Sequence, residues 1–143
     1  MKISTRGRYS LRFMIDLAQH YSEGYISLKD IAKRQNISKK YLEQIIPFLN
    51  RSNLLIANKG HMGGYMLPKA PAEITVREIL ESAEGSLAPV SCMDNGTVVC
   101  DNAEECLTLP IYKGLYDVVI NYLESVTLQD IIDKVPDNCE YYI

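Results

Sequence analysis

Three of the chain's cysteines, Cys92, Cys100 and Cys106, fall within fifteen residues in the stretch SCMDNGTVVCDNAEECLTL at 91–109. Thiolates are soft ligands that suit iron–sulfur clusters and zinc alike, and three in one loop make poor core filler. Seven residues lie between the first pair and five between the second, and no fourth ligand follows at an obvious spacing. Asp94, Asp101, Glu104, Glu105, Cys139, a residue of a second subunit or a small exogenous ligand each stay open as the fourth. An iron held by too few protein ligands is labile and open to attack, which suits a sensor and not a structural site. Other reactive residues are sparse. His20 and His61 lie far from the cysteines in sequence, and neither a nucleophile–base pair nor a phosphate-binding loop is present. A metal-dependent enzyme therefore has no candidate centre.

The totals describe an ordinary soluble chain of 143 residues, 47% apolar and 23% charged, long enough to bury a core. No apolar run approaches the roughly 18–20 residues of a membrane span. The N-terminal MKISTRGRYSLRFM lacks the apolar stretch of a secretory signal. A cytoplasmic location is expected, where clustered cysteines favour metal or redox chemistry over disulfides. The net charge of −3 conceals an asymmetry: residues 1–70 carry +8 and residues 71–143 carry −11. A basic front half points to a polyanion as partner.

Periodicity supplies the elements that would present this charge. YSLRFMIDLAQHY places Leu11, Met14, Ile15, Ala18 and Tyr21 at helical spacing, widened by Leu17, and Glu23-Gly24 ends the helix. A second helix in SLKDIAKRQN is capped by Ser27, with Leu28, Ile31 and Ala32 as its apolar face. After the short Asn36-Ile37 connection, Ser38 caps a third helix, SKKYLEQIIPFLNRS. Leu42, Ile45, Ile46 and Leu49 there fall within about 100° of arc and face the core. Lys40, Gln44, Pro47 and Arg51 occupy the opposite arc, with Glu43 and Asn50 on one flank and Tyr41 on the other. This is a helix-turn-helix pattern. Pro47 removes a hydrogen bond to the Glu43 carbonyl and predicts a bend. LLIANKGHMGGYML then reads as a β-hairpin, with strands over Leu54–Asn58 and Tyr65–Leu67 and glycines in the turn. A hairpin in this position makes a winged helix.

The candidate DNA-binding residues are Ser38, Lys39, Lys40, Tyr41, Glu43, Gln44, Lys59 and His61. Lys39 and Lys40 sit at the end a reading helix presents, where free amides and the helix dipole also favour phosphate. Glu43 can accept from a cytosine amino group, or pair with Lys39 or Lys40 along the helix. Gln44 can pair with adenine, and the lysines neutralise phosphates. Lys59 and His61 ride on the wing tip. Arg6, Arg8 and Arg12 either flank the groove or solubilise the first helix.

In the acidic half, Thr75 and Glu78 form a capping box for a helix that stops at Gly85. Beyond the cysteine loop, Pro110 suits the first turn of a long helix, LPIYKGLYDVVINYLESV. Its apolar face comprises Ile111, Leu115, Val118, Val119, Tyr122, Leu123 and Val126. Dimerisation and packing against the first helix are both expected to cover it, and a two-fold dimer would present two reading helices to successive major grooves. Thr127 caps a last short helix; the tail CEYYI has no clear role, and Cys139 is most simply a free thiol. The fold class is mainly α with a small β-hairpin: a winged helix-turn-helix at 1–70, then the cysteine loop and dimerisation helices at 71–143.

KISTRGRYSLRFMIDLA, SLKDIAKRQNISKKYLEQII and KGHMGGYMLPKAP together resemble the Rrf-two family of bacterial winged-helix regulators. That family includes an iron–sulfur regulator, a nitric oxide sensor and a repressor of cysteine metabolism. The similarity spans essentially the whole chain, and YLEQI followed by GGYML is highly specific. The resemblance implies a homodimer on a pseudo-palindromic operator of double-stranded DNA, with the long helix crossing between subunits. It implies DNA contacts at Tyr41, Glu43, Gln44 and Lys59, and an iron–sulfur cluster (2Fe-2S or 4Fe-4S) on Cys92, Cys100 and Cys106. The chain departs from the family pattern in the longer Cys92–Cys100 spacing. It also has Leu109 where the iron–sulfur regulator has a nearby histidine, and Arg8 where another member ligates from the partner subunit. The expected function is a dimeric repressor sensing iron–sulfur, redox or nitric oxide status. The alternatives are structural zinc, or a cluster-free regulator controlled by a thiol switch or by a partner metabolic enzyme.

Overall fold

Ser4, in extended conformation, accepts a hydrogen bond from the Gly7 amide and so starts α1 (Thr5–Gln19). The computed structural model describes residues 1–96, 98 and 100–134, and Cys139 with the CEYYI tail lies outside them. The first helix thus begins ahead of the apolar periodicity at Tyr9 and ends before Glu23. Tyr21 falls in a separate 3-10 turn and is exposed, not on the buried stripe. Phe13 and Met14 are fully buried, and α1 forms the spine against which the other helices pack.

α2 (Leu28–Gln35) starts at Ser27, whose hydroxyl accepts from the Asp30 amide. Asn36 ends it with φ 53°, a left-handed residue of the kind Asn tolerates. α3 (Lys39–Arg51) is capped in the same way by Ser38, accepting from the Tyr41 amide at 3.1 Å. Its four predicted core residues are all buried, and it continues through Pro47 as one helix.

β1 (Ile56–Asn58) and β2 (Gly64–Met66) pair antiparallel, with Ala57 opposite Tyr65. The hairpin is shorter than its sequence predicts. Leu54 and Leu55 are consecutive and both buried, so that stretch plugs the core where a strand would alternate its side chains. On its far side β2 bridges to Ile26, with amide–carbonyl bonds of 2.8 Å in both directions between Ile26 and Tyr65.

The remaining helices are α4 (Val76–Glu84), α5 (Leu109–Ser125) and α6 (Leu128–Asp133). The Thr75–Glu78 capping box forms as expected, and Thr127 with Asp130 makes a second one. α4 and α6 pack on α1, whereas α5 packs chiefly on α4 and meets the first helix only where Leu11 joins the same apolar cluster as Ile120. The predicted apolar face of α5 is divided. Leu123 and Val126 join Tyr116 and the buried Ile120 over α4, while Ile111, Leu115, Val118 and Tyr122 stand in solvent. Among the described residues no helix is long and apolar enough to cross a membrane.

Candidate nucleic-acid interface and cysteine loop

α3 offers its first turn to solvent. Ser38, Lys39, Lys40, Glu43 and Gln44 are all exposed. With Ser38 satisfying the Tyr41 amide, the preceding free amides and both lysines make this end electropositive. Among the described ion pairs none involves Glu43, Lys39 or Lys40, so the intrahelical pairing considered for Glu43 does not form here. Tyr41 is only half exposed. Its ring meets Tyr9 of α1 edge-on, with centroids 5.3 Å apart, which makes it a wall of the interface as much as a surface group.

The wing stands beside this face. Lys59 and His61 are exposed at its tip, and a shallow groove between wing and helices is lined by Leu28, Asn50, Lys59 and Tyr65. A side chain on Gly64 would collide with the backbone of Ile26, so glycine there is a requirement of the bridge that fixes the wing to the segment leading into α2.

The three arginines of α1 differ. Arg12 donates to the side chain and the carbonyl of Gln35. Arg8 is exposed and bonds Thr5 of its own helix at 3.1 Å. Arg6 donates through Nε to the Ala83 carbonyl at 2.7 Å and lies 4.3 Å above the Phe48 ring of α3.

In the cysteine loop, Cys92 sits half-buried in a 3-10 turn over Ser91–Gly96, anchored by buried Met93. Cys100 is exposed, and Cys106 is half-buried just ahead of α5. All three are free thiols. The Cys106 sulfur lies 3.3 Å from the Thr108 hydroxyl, and bonds from that hydroxyl, then from the Thr108 and Leu109 amides, lower its pKa. The donor set thus fits soft-metal chemistry in kind. In this conformation the thiols stand apart: among the described residues no three Cys, His, Asp or Glu side chains converge.

Residues 3–134 match the family model described as "Rrf2: Iron-dependent Transcriptional regulator". The chain belongs to the Rrf-two family. It is 36% identical to the HTH-type transcriptional regulator CymR of Bacillus subtilis over 143 residues, 100% of this chain and 98% of that one. The solved structure of that protein, described as the global cysteine regulator of B. subtilis, superposes with a TM-score of 0.73 over 95% of this chain and 99% of its own. The HTH-type transcriptional regulator IscR of Photorhabdus laumondii is 34% identical over 134 residues, 94% of this chain and 80% of that one. A solved IscR from T. potens, 33% identical, gives a TM-score of 0.71 over 99% of this chain and 97% of its own. Relatives of both kinds carry the name of transcriptional regulators, not of enzymes.

This Rrf-two regulator holds its winged helix in place with residues that sequence reading passed over. Asp16, on α1, is buried and accepts two bonds from Arg34 and one from Gln35, both on α2. At the end of α4, Ser82 donates to the Phe48 carbonyl at 2.8 Å, and Glu84 accepts from the Ser4 amide and hydroxyl at 2.9 and 2.6 Å. The chain passes from there through Gly85 directly into the segment that bears the cysteines. An acidic residue in an apolar helical stripe was the available signal for Asp16; Ser82 and Glu84 offered none.

Proposed function

We propose that this Rrf-two regulator is a cytoplasmic homodimeric repressor that reads a pseudo-palindromic operator through α3 and the wing. The state of its cysteine loop sets DNA affinity. The observation that carries this reading is the exposed, capped, lysine-bearing start of α3 standing beside a wing locked in register to Ile26, just ahead of α2. In this reading Glu43 and Gln44 address base edges, with Tyr41 shaping that surface. Ser38, Lys39, Lys40, Lys59 and His61 engage the backbone. Residues 1–70 bind DNA, and 71–143 pair the subunits and sense the signal.

The exposed stripe Ile111, Leu115, Val118 and Tyr122 falls within about 60° of arc at 100° per residue and is the surface a second α5 would cover. Cys92, Cys100 and Cys106 are the residues that would hold an iron–sulfur cluster, with a fourth ligand from elsewhere. Such a cluster supplies a centre sensitive to oxidation and nitric oxide. The chain's own contribution is a Cys106 thiolate held by Thr108 at the start of α5, where the loop meets the dimer helix. Protein purified without oxygen should contain iron and sulfide and absorb in the near ultraviolet and visible. Replacing the three cysteines by alanine should abolish both and remove the response of DNA affinity to air.

A second reading is a cluster-free thiol switch, or control by a partner metabolic enzyme. It is favoured by the full-length match to a cysteine regulator and by thiols that do not converge. Colourless anaerobic protein without iron or sulfide, whose DNA affinity still changes on mild oxidation, would select the switch. If the triple-alanine chain keeps its regulation in cells, the partner enzyme is selected instead.

A further inference from the structure

Helix geometry places two cationic grips on opposite flanks of α3. At 100° per residue, Asn50 and Glu43 lie on one side of the Lys40–Gln44–Arg51 arc, and Tyr41 and Phe48 lie on the other. The wing stands on the Asn50 side, where Asn50 and Lys59 line one groove. Arg6 stands on the Phe48 side, where it lines a second groove with Tyr41, Gln44, Ile45 and Phe48. A helix inserted in a major groove has one phosphate backbone along each flank. The wing's Lys59 meets one, and the opposite flank needs its own cation.

Arg6 suits that place better than its neighbours in α1. Arg12 is committed to Gln35 and Arg8 to Thr5 of its own helix. Arg6 is held through Nε by the Ala83 carbonyl and rests 4.3 Å above the Phe48 ring. Among the described hydrogen bonds its two terminal nitrogens make none, which leaves the fork that matches a phosphate. A guanidinium fixed before binding loses little rotamer freedom on contact. We infer that Arg6 binds a backbone phosphate on the strand opposite the wing, so that each subunit grips both walls of the groove. This rests on the proposed insertion of α3 into DNA.

The test measures binding of a random-sequence duplex of roughly 30 base pairs, about three helical turns, over a series of salt concentrations. Backbone contacts are sequence-independent, so no operator is needed. R6Q, R6M and R6K are compared with wild type, and each fold is checked by thermal melting. Each lost phosphate contact lowers the salt slope by about 0.9, so the neutral variants should lose roughly two per dimer. R6K should keep the wild-type slope while binding more weakly. Folded neutral variants with an unchanged slope would overturn the inference. So would failure of both neutral variants to fold, which would make Arg6 a structural clamp. Wild type that binds no duplex at low salt would instead defeat the DNA-reading proposal itself.

Discussion

Arg34 lays two nitrogens on the carboxylate of Asp16, Nε at 3.0 Å and Nη2 at 2.7 Å. The side chain of Asp16 is 1% exposed and that of Arg34 is 36% exposed. The pair joins α1 to α2, and Gln35 adds a third donor to Asp16 at 3.0 Å. The bond to Asp16 is the main reason the Arg34 pKa lies above its ordinary value. Because α2 packs against α3, the pair fixes how α3 is presented.

The asymmetry in burial makes a prediction. Arg34→Ala leaves a buried carboxylate short of two donors and should cost roughly 3 kcal/mol. Asp16→Leu leaves a half-exposed guanidinium that water can solvate and should cost clearly less. Urea unfolding of the two variants checks the order. Equal losses would show that the pair contributes as a symmetric bridge and not through burial of the acid.

The wing depends on one missing side chain. Gly64→Ala places a methyl group on the Ile26 backbone and should break the Ile26–Tyr65 bridge. Overpacking of this kind costs roughly 1–3 kcal/mol. The expected result is a modestly destabilised protein with strongly weakened DNA binding, read by thermal melting and fluorescence anisotropy. Unaltered DNA binding would mean that wing register is unimportant.

The helix starts were legible because they are local. Ser27, Ser38, Thr75 and Thr127 each cap the helix their spacing announced. The faces of α3 were legible for the same reason, since four apolar residues define one arc. The hairpin was placed correctly but drawn too long, because two consecutive leucines look like strand until a core claims both. On α5, Val118, Val119 and Ile120 are consecutive, and no periodicity can say which faces α4 and which faces solvent. Asp16 and Arg34 are far apart in sequence, so only packing reveals them as partners. The cysteine spacing identified a set of thiols and not their placement, which depends on how the loop is held.

The surroundings of Cys106 favour its thiolate. The Thr108 hydroxyl and neighbouring amides stabilise its thiolate, so its pKa is below that of an ordinary thiol. As pH rises, metal-free protein should be alkylated by iodoacetamide at Cys106 earlier than the unperturbed midpoint, and the rate should fall as pH drops through the lowered pKa. Thr108→Val should move that midpoint upward. Peptide mass spectrometry over a pH series measures it, and no shift in the variant would discount the threonine.

The exposed stripe of α5 predicts the oligomeric state. Val118 is 68% exposed in the single chain. Burying an unpaired carboxylate in an interface costs several kcal/mol, so Val118→Glu should weaken dimerisation by about a hundredfold or more. Sedimentation of wild type as a dimer and of the variant as a monomer is expected. A wild-type monomer would contradict the dimer, and a fully dimeric variant would place the subunit contact elsewhere.

The central claim is that α3 reads sequence while the wing grips the backbone. The most direct measurement is selection of bound duplexes from a random library, using reduced and air-oxidised protein. Enrichment of a two-fold symmetric site with half-sites a whole number of helical turns apart is predicted in at least one state. On that site Glu43→Ala should relax one base position, worth about 1–3 kcal/mol, while Lys59→Ala should weaken all sequences and flatten the salt slope. Enrichment of no sequence in either state would contradict the account.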